Sequence, residues 1–116
     1  MSYFTLPPKL SHDIPVTAES LWFLERYLNV FDFLELFPLD TVSNSDGLPG
    51  IPIKLHTDLG FSIESDIDRS KMQLRNRSKL RGWTRFTSEH NLQVGDVIHI
   101  EKTGDRDFSV SLLRQA

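Results

Sequence analysis

Short runs of alternating apolar residues, each bounded by a glycine-bearing turn, fill the second half of this chain and constrain its fold more than any other feature. Ile51, Ile53 and Leu55 alternate, as do Phe61, Ile63 and Ile67, with His56-Thr-Asp58-Leu-Gly60 between them. A period of two turns one face of a strand toward a core and the other toward water. The interruption therefore predicts a β-hairpin with Gly60 at its turn. Leu92 and Val94 lead into a Gly95-Asp96 turn and a strand from Val97 to Glu101. Thr103-Gly-Asp-Arg-Asp107 makes a second hairpin turn into a strand from Phe108 to Leu112. Between the two hairpins, Gly82 to Asn91 fits a short helix with Trp83 and Phe86 three apart on one side.

The first half is less periodic. Tyr3 to Leu6 reads as a short strand stopped by Pro7-Pro8, followed by a polar loop from Lys9 to Asp13. Thr17 suits the cap of a helix whose apolar side is Leu21, Leu24 and Leu28, with Glu19 in its first turn and Asn29 at its end. Phe31, Phe33, Leu34, Leu36 and Phe37 form a cluster whose spacing fits strand or helix equally. Thr41 to Gly50 is a loop by composition. At 116 residues the chain is long enough for one core and not for two, so residues 1–116 are expected to form a single domain. About six strands and two short helices make it α+β, most economically a small barrel.

Charge divides the chain in two. Residues 1–68 hold three Lys and Arg against eleven Asp and Glu, a net of −8, while residues 69–116 hold ten against five, a net of +5. The whole-chain value of −3 averages these. Seven of the thirteen cationic side chains fall between Arg69 and Arg85, and no acid lies between Asp68 and Glu89. A segregated cationic patch suits a polyanion, because each neutralised phosphate releases condensed counterions. Nucleic acid is therefore the first expectation. An extended arm would alternate its side chains, placing Arg69, Lys71, Gln73, Arg75 and Arg77 on one face and Met72, Leu74 and Asn76 on the other. Arginine forks onto guanine or phosphate and Gln or Asn onto adenine, whereas Lys71 and Lys79 act as point charges on phosphates.

Other chemistries find little support. With no cysteine there is no disulfide, thiolate zinc site or cysteine nucleophile. His12, His56, His90 and His99 lack ligand spacing, so neither metal nor cofactor is expected. No phosphate-binding glycine loop, nucleophile elbow or nuclease constellation appears, and Asp66 and Asp68 have no partner completing an acid–base set; an enzyme is not expected. The stretch from Leu21 to Leu39 carries Glu25, Arg26, Asp32 and Glu35, which rules it out as a membrane span. The N-terminus does not read as a secretory signal. An intracellular protein is expected, cytoplasmic if bacterial and nuclear if eukaryotic.

Gly82-Trp83, Phe86, Leu92 and Gly95-Asp96 followed by an apolar strand resemble the DNA-binding pseudobarrel of plant transcription factors, the B-three domain, whose fold is shared by effector domains of some bacterial restriction endonucleases. The likeness spans residues 51–113. It implies a small open pseudobarrel of about six to seven strands with two short helices, a role in transcription regulation or restriction–modification, and double-stranded DNA gripped in the major groove by two arms. The C-terminal arm maps onto Arg69 to Arg77. The N-terminal arm maps onto Pro7 to Asp13, with Lys9, Ser11 and His12. The aromatic and Asn-Ser-Ser element of the plant arm is replaced here by Lys71-Met72-Gln73, so the location carries over and the base contacts do not. The full expected contact set is Lys9, Ser11, His12, Arg69, Lys71, Gln73, Arg75, Asn76, Arg77, Lys79 and Arg81, with Arg69, Lys71, Lys79 and Arg81 on phosphates. An alternative reading makes the acidic, Phe-rich first half a surface for another protein domain or a second copy. Single-stranded nucleic acid ranks last, because no aromatic lies between Asp68 and Gly82 for bases to stack on.

Overall fold

The computed structural model describes residues 10–75 and 82–114. Its strands are β1 (Ser11–Pro15), β2 (Ile53–Thr57), β3 (Ser62–Ser65), β4 (Ile67–Asp68), β5 (Gln73–Leu74), β6 (Val97–Lys102) and β7 (Asp107–Leu113), with helices α1 (Leu21–Leu24) and α2 (Trp83–His90). Two 3-10 segments, Phe31–Leu36 and Leu39–Thr41, fill the chain between α1 and β2. The expected β2–β3 and β6–β7 hairpins are both present, and Gly60 and Gly95 have the positive φ that their turns require. The larger sheet runs β1-β6-β7-β2-β3, antiparallel except for the parallel β2–β7 pair. Among the described residues β1 and β3 remain as edges, so the sheet of this α+β fold is open rather than closed. β4 and β5 form a separate two-stranded ribbon.

Alternation decides which side chains are inside. Ile53, Leu55, Ile63, Ile98, Ile100, Phe108 and Val110 are buried on the inner face. α2 caps this interior with Trp83 and Phe86, both fully buried, their rings 5.1 Å apart. The indole Nε1–H donates to the Leu24 carbonyl at 2.7 Å, so this buried polar atom is satisfied and α2 is tied to α1. Asn91 ends α2 in the left-handed conformation, and the Leu92 N–H returns to the Thr87 carbonyl. Trp83 is thus core, and the Arg85 guanidinium sits 4.0 Å above the Phe61 ring.

Three expectations change. The Lys9–Asp13 loop gives way to β1 from Ser11 onward, since pairing with β6 satisfies its backbone; Lys9 and the Tyr3–Leu6 strand lie outside the described residues. The helix expected from Thr17 to Asn29 shrinks to one turn. Thr17 and Ser20 exchange hydrogen bonds before it, and beyond Arg26 the backbone joins the ribbon: the Leu74 N–H donates to the Leu28 carbonyl and Asn29 bridges Gln73. Tertiary pairing overrides helical periodicity there. The Phe cluster is neither strand nor α-helix. It is a 3-10 segment kinked at Phe33, which turns Phe33, Leu36 and Phe37 into the core while Phe31 stays 67% exposed.

Candidate nucleic-acid interface

The arm expected to be extended from Arg69 is a hairpin instead. Ile67 pairs with Leu74 and Asp68 with Gln73, leaving Arg69, Ser70, Lys71 and Met72 as a four-residue turn. Asp68 builds it: one carboxylate oxygen accepts the Ser70 N–H at 2.9 Å and the Ser70 hydroxyl at 2.7 Å. These bonds hold the Asp68 carboxyl below its ordinary range, with Arg75 and Lys71 adding smaller attraction. Met72 closes the turn at φ +51°, a left-handed conformation that an unbranched side chain tolerates at a cost. From Gln73 the expected alternation resumes, with Leu74 buried and Gln73 and Arg75 half-buried on the other side.

The base of this hairpin is locked by a buried charge. Asp66 is fully buried and accepts the Gly50 N–H at 2.9 Å and the Arg75 Nε–H at 3.1 Å. Arg75 Nη1 lies a further 4.0 Å from Asp68. Ser65 Oγ donates to the Arg75 carbonyl at 2.6 Å, and the Arg69 N–H donates to Ser43 Oγ at 3.0 Å. The charge of Arg75 is therefore offset by two carboxylates that precede the basic stretch in sequence. Arg85 is likewise offset by Glu89, 2.9 Å away one helical turn on. Among the described residues, Arg69 and Lys71 have no carboxylate within ion-pair distance, and both are exposed. The Gln73 side chain has no hydrogen-bond partner there either. Gly47, Ser45 and Asn44 face Arg69, Ser70 and Arg75 across an open cleft of about 520 Å³. Sequence reading missed this wall of the site, because a Ser-Asn-Ser-Asp-Gly loop signals a turn and not what the turn will stand beside.

The other expected arm behaves differently. In β1 the side chains of Ser11 and His12 leave on opposite faces. Ser11 shares the outer face with Asp13, which meets His99 Nδ1 at 2.5 Å. The His12 ring turns inward and stacks on Phe33 with centroids 4.5 Å apart. The two arms meet through one segment: Phe33 carries His12, Asn29 Nδ2 donates to the Lys71 carbonyl at 3.4 Å, and the Val30 N–H donates to the Met72 carbonyl at 2.8 Å. Lys9, Asn76, Arg77, Lys79 and Arg81 lie outside the described residues. On the outer sheet face His56 links Ser62 and Asp107 at 2.9 Å each, a polar clip across β3, β2 and β7. No group of metal-ligating side chains forms among the described residues, and no described helix is long and apolar enough to cross a membrane.

The chain is similar in fold to the solved structure of a hypothetical Arabidopsis thaliana protein, at 20% identity over 91% of each chain with a TM-score of 0.58. That likeness shows a shared architecture along nearly the whole chain. No family model and no curated protein matches the sequence.

Proposed function

We propose that this protein is a double-stranded DNA-binding domain of the B-three type, not an enzyme, which reads the major groove with the β4–β5 hairpin and the chain following it. The observation that carries the reading is the pair Arg69 and Lys71, exposed on a hairpin turn with no carboxylate within ion-pair distance among the described residues, while Arg75 and Arg85 are paired with carboxylates. A turn braced at its base by a buried ion pair is a pre-organised support, and rigid support lowers the ordering cost of a polar interface. Arg69 and Lys71, with Lys79, Arg81 and Lys9, supply phosphate contacts. Gln73, Asn76 and Arg77 supply base-edge contacts, and Arg75 serves first as the brace, with its outer N–H groups toward the cleft. On β1, Ser11 and His12 approach from the other side, one from each face of the strand.

The test is selection of bound duplexes from a random pool by the full chain, methylated and unmethylated, followed by two variants. Lys71→Ala is expected to weaken every duplex alike. Gln73→Ala is expected to cost about 1–3 kcal/mol on the selected sequence and little on others. Equal losses on all duplexes for both variants would contradict the division of roles. A second reading, a protein-docking module, draws on Trp22 and Phe31, which are 60% and 67% exposed in the acidic half. It expects a protein complex or self-association that survives neutralisation of Arg69 and Lys71.

A further inference from the structure

Beside α1 lies a cavity of about 300 Å³ that shares only His12 with the proposed DNA contacts. Two stacked ring pairs line it: Phe23 with Tyr27, centroids 5.7 Å apart and 20° from parallel, and His12 with Phe33, 4.5 Å apart at 16°. Ile14, Leu24, Ser20, Asn29 and Asp32 complete the lining. Asp32 is exposed and, among the described residues, has no cation within ion-pair distance. The volume sits at the small end of ligand sites and matches a compact head group rather than a fused-ring cofactor. Aromatic faces present negative quadrupole, and a carboxylate in the lining adds a full negative charge. The segment supplying most of the lining belongs to the half of the chain that carries −8. An anion or a phosphate is disfavoured on every one of these counts. A strongly hydrated ammonium would lose its water against such walls, whereas a quaternary ammonium is already poorly hydrated.

We propose that this cavity binds a quaternary alkylammonium group, held by cation–π contact with Phe23 and Tyr27 and by the charge of Asp32. The same chemistry is available as a free choline-type molecule or as a trimethylated lysine in a basic peptide. Two cations already rest on aromatic faces of this protein, Arg26 at 5.4 Å from the Trp22 ring centre and Arg85 over Phe61.

The experiment is titration of the full chain, followed by NMR or calorimetry, with choline, with its uncharged dimethylbutanol isostere and with a short basic peptide carrying trimethyllysine. Choline is expected to bind about tenfold tighter than the isostere. Asp32→Asn is expected to lower that affinity about fivefold without changing the melting temperature, because Asp32 is exposed. Tyr27→Leu, which keeps an apolar wall without a π face, is expected to lower it about tenfold. Tighter binding of the peptide than of choline assigns the ammonium to a protein partner, and equal binding assigns it to a small molecule. Equal affinity for choline and the isostere, or an Asp32→Asn variant that binds as well as the parent, would overturn the proposal. So would preferential binding of free nucleosides, which would make the cavity a base pocket instead.

Discussion

Asp66 and Arg75 show how one pair can matter to fold and function at once. Asp66 is fully buried, and its charge is tolerated because Arg75 and the Gly50 N–H both donate to it. Arg75→Ala removes a charged hydrogen-bond donor from that carboxylate. The expected cost is about 3 kcal/mol in urea unfolding, toward the low end for a buried pair because the Arg75 side chain is 30% exposed. Arg75→Ala would therefore reduce DNA binding chiefly through stability, and the loss should recover at low temperature if Arg75 is the brace assigned to it. Asp96 makes a similar keystone at the Gly95-Asp96 turn. It accepts from Arg114 and from the Gln93 N–H, and the Arg114 bond is the main cause holding its carboxyl below the ordinary 3.8. A lowered folded-state value means the stabilisation is present above the ordinary value and is lost as pH falls through the lowered one. Asp96→Asn is thus expected to be less stable than the parent at pH 7, with the difference closing below about pH 3.8 in thermal melts.

Legibility of the sequence was uneven among the elements. Strands with strict alternation, such as Val97–Glu101, could be read directly because the period of two has one structural solution there. α2 was equally plain, since Trp83 and Phe86 share a face and Asn91 suits a left-handed end. The 17–37 region failed because its spacing is helical while its backbone is recruited by the ribbon, a demand that only the fold reveals. The basic arm failed in an instructive way. Its sign and place in the chain were legible, but the Asp68–Ser70 turn was hidden by a stretch that looks uniformly extended. Its acids Asp66 and Glu89 lie just outside the cationic run and return in space to neutralise two of its members. Met72 at φ +51° strains this turn. Met72→Gly is expected to stabilise the domain by about 0.5–1 kcal/mol in urea unfolding, the relief of a left-handed side chain outweighing the added freedom of the unfolded chain.

For the whole molecule, the open sheet order β1-β6-β7-β2-β3 leaves β1 at one edge, while the ribbon that carries Arg69 and Lys71 packs against the Leu28–Val30 segment. The acidic and basic halves share one core, with β6 and β7 lying between β1 and β2 in the sheet. The proposed binding to DNA should then depend on counterion release from a limited cationic strip, with a net-negative remainder opposing loose contact. The salt dependence of duplex binding by the full chain measures that strip. About five neutralised phosphates correspond to a slope of log K against log salt of roughly −4 to −5, falling by about one unit in Lys71→Ala. A complex indifferent to salt, or no complex with any duplex at low salt, would contradict the DNA-binding role.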